Sequence, residues 1–310
     1  NRMANYLVTG AAGFIGSAIA KDLLLKGNKV VTIDNLSTGF KKNIPNGAIF
    51  IEGDCGNSLV YKKIPKIKFD AILHIAGQSS GEISFDDPIY DIKTNAESTL
   101  LLLKFALKNK CTRFIYAGTM SVYGKKLDIP ISESEKCEPV SFYGVAKLAS
   151  EHYMQIYQKY GVNSTSLRLF NVYGPGQNLE NLRQGMVSIF IAQMINNNII
   201  IVKGSPNRFR DFIHINDVVD VFIKSIKSEE SWGLNINVAT GIKTSVGELI
   251  ELICKLHEED VIVKYSGSTE GDINGIYAEN LLMRDIFNKQ DLILLKDGLK
   301  DMLTKVKSQN

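Results

Sequence analysis

The sequence predicts an α/β fold, a doubly wound parallel sheet with a smaller C-terminal lobe. Three observations predict it. Short β-rich runs alternate with helical ones through the first half of the chain. Those runs are continuously apolar rather than alternating, as strands buried on both faces of a parallel sheet read. And 310 residues with 45% apolar side chains make a sizeable core without disulfide or metal staples.

In order, "NYLVTG" reads as the first strand and "FIGSAIAKDLLLKG" as a helix stopped at Gly27. "KVVTID", "AIFIEGD", "DAILHIAG" and "RFIYAGT" follow as strands, with the apolar helix "ESTLLLLKFALKN" between the last two. A helix around Tyr143 stops at Gly161, and "STSLRLFN" is the sixth strand. Beyond Phe170, "NVYGPGQNLENLRQG" reads as a loop and "MVSIFIAQMINN" as a helix. "LNINVA" is a late strand rejoining the main sheet, while "SVGELIELICKLH" and the tail after Ala278 are helical. We expect residues 1–170 and roughly 211–241 to form the dinucleotide-binding domain, with 171–210 and 242–310 the substrate-binding lobe.

The net charge of +3 comes without a basic block, which argues against nucleic acid and leaves room for an anionic small molecule. Cys55, Cys111, Cys137 and Cys254 lie far apart with no metal-ligand spacing, which argues against a disulfide framework or metal site and fits a reducing cytosol. No run reaches membrane-span length, and "YLVTGAAGFIGSAIA" is too rich in glycine and too poor in leading basic residues for a secretory signal.

Between the first strand and helix stand Gly10, Gly13 and Gly16, spaced G-x-x-G-x-x-G. Glycines there let the backbone approach a pyrophosphate, which a helix N-terminus attracts. The second strand ends on Asp34, 18 residues after Gly16. An acid at that place accepts hydrogen bonds from both ribose hydroxyls and repels a 2′-phosphate, which favours NAD over NADP. Further on, Tyr143 and Lys147 fall at i and i+4 of a helix and share a face. By themselves they read first as an ordinary surface pair on an amphipathic helix.

Together, "TGAAGFIG", "DNLSTG", "GD", "AGQ", "GTMSVYG", "YGVAK" and "RLFNVYGPGQ" resemble the extended short-chain dehydrogenase/reductases, and among them the NAD-dependent epimerase/dehydratase family of the UDP-glucose 4-epimerase type. The resemblance covers nearly the whole chain. It implies a Rossmann sheet, tightly bound NAD, a nucleotide-diphosphate sugar substrate, a homodimer, and C4 epimerisation through a transient 4-keto sugar. Tyr143 and Lys147 then match the catalytic Y-x-x-x-K pair, and Thr119 the catalytic hydroxyl. A free tyrosine titrates near ~10, too high for a base at neutral pH; a neighbouring ammonium and a positive nicotinamide ring are expected to lower it.

By position, the resemblance also implies cofactor contacts from Phe14 and Ile15 in the glycine loop, Asn35 and Ser37 near the adenosine, and Asp54 and Cys55 beside the adenine. Ala76, Gly77 and Gln78 would line the cofactor after the fourth strand. Asn95 would reach the pyrophosphate side or brace the site's loops, and Phe170 and Asn171 would sit where the sheet meets the sugar nucleotide. Arg210 would grip the substrate diphosphate and Asp272 would contact the substrate. His74 and His214, within apolar runs, read as packing residues.

Two positions depart from the family's pattern, and a third bears on sugar size. Thr269 stands where a second phosphate-binding arginine is usual, and Lys203 where an aromatic ring stacks on the base; Lys203 or Arg208 is the candidate for the missing charge. Ile276 is intermediate in size where a bulky tyrosine excludes N-acetyl groups, so N-acetylhexosamines are compatible. Three other activities fit the same scaffold. A 4,6-dehydratase needs an Asp-Glu pair after the catalytic Thr, where this chain has Met120 and Ser121. An NAD-linked dehydrogenase releasing its ketone remains open. A non-catalytic NAD-binding regulator would have lost Tyr143 or Lys147, and both are present.

Overall fold

The structure, a computed structural model, describes residues 2–77 and 79–309. Six strands, β1 (Asn5–Thr9), β2 (Lys29–Asp34), β3 (Ile49–Glu52), β4 (Ala71–His74), β5 (Arg113–Thr119) and β6 (Asn163–Leu169), join with Leu234–Val238 in a seven-stranded sheet. Its order is Leu234–Val238, β6, β5, β4, β1, β2, β3, and every pairing is parallel. Strand order reverses between β1 and β4, so a crevice opens at their carboxyl ends.

Successive residues point to opposite faces and each face meets its own helices. Val8, Ile115, Leu167 and Ile236 pack against Ile19 and Leu23 of the Phe14–Leu25 helix and Val218 and Phe222 of the Ile215–Ile226 helix. Leu7, Val31, Ile72 and Phe114 pack on the other side against Leu102 and Leu103 of the Ser98–Asn109 helix and Met154 of the Phe142–Gln158 helix. Fully burying each such aliphatic side chain contributes about 1.5–3 kcal/mol. That double burial is why the strands read as unbroken apolar runs.

The smaller lobe centres on Ile191, Met194, Leu249, Ile253, Leu299 and Met302, from the Met186–Asn197, Val246–Lys255 and Leu295–Ser308 helices. Three short pairings escaped the sequence reading. Asn171–Tyr173, read as loop, pairs parallel with Phe212–His214; Ile199–Val202 pairs with Ile262–Tyr265; Phe209–Arg210 pairs antiparallel with Thr244–Ser245. The Leu281–Phe287 helix, expected in the smaller lobe, packs on the sheet instead, with Met283 and Phe287 in the same cluster as Val8 and Ile236. Its apolar positions find the sheet face left open beside Leu234–Val238.

Two buried arginines tie the sheet together. Arg168 of β6 donates Nη2 to Glu151 Oε1 at 2.7 Å, Nε to Glu151 Oε2 at 3.0 Å and Nη1 to Tyr123 Oη at 3.0 Å. Tyr123 Oη donates in turn to Asn237 Oδ1 at 2.6 Å. Arg113 of β5 donates to the carbonyls of Ile226, Asn163 and Ser225 and the hydroxyls of Thr165 and Ser231. Each charge leaves water only because its fork is filled.

Candidate active site

Thr9, the last residue of β1, sets the mouth of the crevice. Its Oγ1 accepts from the Ile75 and Ala76 amides at 3.0 Å and meets His74 Nδ1 at 2.7 Å, fixing the turn that follows β4. His74 is fully buried, as expected of a packing residue, with Nε2 3.2 Å from Ser98 Oγ. The crevice continues into a cavity of about 680 Å³ running from the glycine loop to the smaller lobe.

At one end lies the glycine loop. Gly10 adopts φ +80°, and a Cβ on Gly16 would sit 2.2 Å from the Gly10 carbonyl oxygen, so neither position admits a side chain. The Phe14–Leu25 helix starts at Gly13 with no side-chain cap, leaving its first N–H groups facing the cavity that Gly13, Phe14 and Ile15 line. Asp34 Oδ2 accepts from the Ala12 amide at 3.0 Å and Oδ1 from the Leu36 amide at 2.8 Å, keeping further lone pairs on a carboxylate that lines the cavity. Asn35, Ser37, Asp54, Cys55, Ala76 and Gly77 line the same end. Uncapped amides beside tight glycines, with an acid one strand over, fit a dinucleotide.

Opposite stand the residues the sequence marks for chemistry. The Phe142–Gln158 helix is capped by Ser141, whose Oγ accepts from the Gly144 amide at 3.0 Å, and this places Tyr143 and Lys147 on its first turns. Both are buried and both line the cavity. Thr119 ends β5; its hydroxyl lies beside the Tyr143 phenol and accepts from the Ser121 amide at 3.1 Å. Lys147 Nζ donates to the Ala117 carbonyl at 2.9 Å and lies 4.7 Å from the Tyr116 ring centre and 5.7 Å from that of Tyr143.

Burial outweighs the lowering of the phenol expected from the ammonium. It pushes Tyr143 up to about 12, with the Thr119 hydroxyl pulling down and the Asp91 charge adding to the rise. Burial brings Lys147 down to about 8, opposed by the charges of Asp91 and Glu151. Asp91 was missed in the sequence; its clue was the i, i+4 spacing to Asn95, whose Nδ2 donates to Asp91 Oδ1 at 3.0 Å.

Asn95 itself is no wall of the cavity among the described residues. It sits in a π-helical turn, Lys93–Glu97, and its carbonyl accepts from Thr99 Oγ1 at 2.9 Å and Ser150 Oγ at 2.7 Å, bracing the Tyr143 helix. Gln78 lies outside the described residues. Phe170 and Asn171 line the cavity's middle. Ile276 packs with Val122, Ile131 and Phe170 in a separate core cluster rather than on the cavity wall, so its size does not gauge the sugar.

In the smaller lobe Arg208, Arg210 and Asp272 line the cavity together. Arg210 Nη2 donates to Asp272 Oδ1 at 2.6 Å, and Arg208 Nη1 to Asp272 Oδ2. Asp272 is thus a partner of both guanidiniums. At the rim, Lys203 and Arg183 pair with Glu82 at 3.6 and 3.7 Å, bridging the 79–86 segment to the smaller lobe. His214 is buried, with Nδ1 accepting from the Asn216 amide. Among the described residues no His, Cys, Asp and Glu cluster suited to a metal ion occurs.

The model of the NAD dependent epimerase/dehydratase family matches residues 6–239. The chain belongs to that family. A putative UDP-glucose 4-epimerase of Methanocaldococcus jannaschii is 33% identical, over 98% of this chain and 99% of that one. The structure of Thermotoga maritima UDP-glucose 4-epimerase with UDP-glucose superposes with a TM-score of 0.93 at 29% identity, covering 98% and 99% of the two chains. A UDP-N-acetylglucosamine 4-epimerase of Methanobrevibacter ruminantium, in complex with UDP-N-acetylmuramic acid, superposes at 0.92 and 30% over both full lengths. These family members share the whole architecture, not the glycine loop alone.

Proposed function

We propose that the chain interconverts C4 epimers of a nucleotide-diphosphate sugar, UDP-glucose and UDP-galactose or the matching N-acetylhexosamine pair, with NAD tightly bound. The observation that carries this reading is one cavity that joins the buried Tyr143–Thr119–Lys147 cluster to the glycine loop and Asp34. The names of the relatives point to the same substrates.

Bound NAD supplies a reversible hydride acceptor for the sugar's C4. Tyr143 Oη takes the proton of the C4 hydroxyl and later returns it, so no net proton is consumed. Thr119 Oγ1 holds both the phenol and the sugar oxygen. Lys147 places positive charge behind the phenol ring, which favours the phenolate that accepts this proton. The cavity walls hold the 4-keto sugar until its other face is presented. Arg208, Arg210 and Asp272 line the diphosphate end of the cavity.

A 4,6-dehydratase is disfavoured because Met120 and Ser121, in the turn after Thr119, have no carboxyl to move the C6 hydroxyl. A net dehydrogenase differs by outcome, since it would accumulate reduced cofactor in step with product. We place the enzyme in a reducing cytosol, where its four free cysteines stay reduced. We also propose a homodimer through the Ser98–Asn109 and Phe142–Gln158 helices, which expose Leu100, Leu107, Val145 and Ile156. Incubating the protein with a panel of nucleotide sugars, and resolving epimers by NMR, tests the reading.

A further inference from the structure

Two arginines converge on one carboxylate at the smaller-lobe end of the cavity. Arg208 and Arg210 are mostly withdrawn from water, with side chains 11% and 5% exposed, and Asp272 balances only one of the two charges. The surplus cation faces the cavity. Two guanidiniums held this close repel one another, so an anion between them relieves the strain.

Counting donors separates the pair. Arg210 spends Nη1 on the Phe209 carbonyl at 2.8 Å and, more loosely, on that of Asn274 at 3.5 Å. It spends Nη2 on Asp272 at 2.6 Å and the Ile273 carbonyl at 3.1 Å. Of its five N–H groups only Nε is left. Arg208 spends Nε on the Ser205 carbonyl at 3.2 Å and one Nη1 hydrogen on Asp272. Three of its N–H groups have no acceptor among the described residues. Its guanidinium is nevertheless placed firmly. Gly204, at φ +97°, lets the plane lie across its backbone, where a Cβ would come within 2.8 Å of Nε.

Resting on the function proposed above, we propose that Arg208 is the principal hydrogen-bond donor to the substrate's diphosphate, with Asp272 orienting its fork and Arg210 serving as a braced neighbouring charge. This reverses the weight the sequence placed on Arg210. It also excludes Lys203, which is 56% exposed and paired with Glu82 at the rim. A planar fork with free N–H groups suits phosphate oxygens in pairs. Asp272 fixes the fork before the ligand arrives, so little side-chain freedom is lost on binding.

Calorimetric titration of the full chain with UDP, TDP and GDP tests this alongside steady-state kinetics. Arg208→Ala leaves Asp272 paired with Arg210, so the variant keeps its fold; thermal unfolding checks that. We expect the preferred nucleoside diphosphate to bind about 10- to 100-fold more weakly in Arg208→Ala, with substrate KM rising in parallel and kcat changing far less. Arg208→Lys recovers only part of the loss, and Lys203→Ala stays within about twofold of the parent, the scatter expected of an exposed rim charge. Equal affinity in the parent and Arg208→Ala, or an equal loss in Lys203→Ala, overturns the assignment of Arg208. No binding of any of the three diphosphates by the parent overturns the nucleotide-sugar reading itself and the inference with it.

Discussion

Burial acts in opposite directions on Tyr143 and Lys147, raising the phenol to about 12 and lowering the ammonium to about 8. Lys147 keeps its ammonium only below about 8, so we expect kcat/KM to fall as pH rises through about 8, where the charge that favours phenolate is lost. In Lys147→Ala that limb disappears, and turnover at neutral pH falls by about 10²–10⁴-fold. A pH–rate profile of both proteins checks this; a limb at the same pH in each would contradict it. The sign for stability follows from the same shift. The folded Lys147 binds its proton less tightly than the unfolded chain, whose lysine titrates near 10.5, so its contribution to stability rises with pH between about 8 and 10.5. Asp34 poses a second residue-scale test. Asp34→Asn keeps the shape but removes the charge that repels a 2′-phosphate, and we expect the preference for NAD over NADP, measured by dissociation constants, to shrink about 10- to 100-fold. An unchanged ratio would show that something other than Asp34 selects the cofactor.

Among elements, the Phe142–Gln158 helix carries Tyr143 and Lys147, the residues proposed for the chemistry, and is anchored through Glu151 to Arg168 of β6. In Glu151→Ala the buried guanidinium loses its carboxylate, and we expect a loss of about 3–5 kcal/mol in denaturant unfolding. A loss below about 1 kcal/mol, as for an exposed pair, would contradict the description of that contact. The strands of the sheet were legible because both faces are apolar, and the glycine loop because spacing alone determines it. The two-residue pairing of Phe209–Arg210 with Thr244–Ser245 was not, since it is too short to impose any periodicity. The π-helical turn at Lys93–Glu97 left no mark either, because its residues continue a helical pattern on both sides. The burial that raises Tyr143 was not legible for a related reason. The i, i+4 spacing reveals the cation, but burial is set by β5 and by the Pro88–Ile92 and Lys93–Glu97 turns packed on the helix, which no local pattern encodes.

At the scale of the molecule, the sheet supplies the glycine-loop end of one cavity and the smaller lobe supplies the other end, proposed here to take the diphosphate. Arg208 and Asp272 are 64 residues apart in sequence and meet only when that lobe folds, which is why their pairing could not be read from the chain. The proposed dimer makes a prediction here. Light scattering should give twice the chain mass of 34.4 kDa, and Leu100→Lys with Ile156→Lys should give the single chain. A parent protein that is already monomeric would remove that surface from consideration. The most direct test is NMR of UDP-sugars incubated with the purified protein and with Tyr143→Phe. We expect the parent to build a mixture of C4 epimers from either starting sugar while the cofactor stays in its starting state, and the variant to be slower by about 10²–10⁴-fold. A parent that forms no epimer, or a Tyr143→Phe protein that forms it at the parent's rate, would contradict the role of the buried phenol.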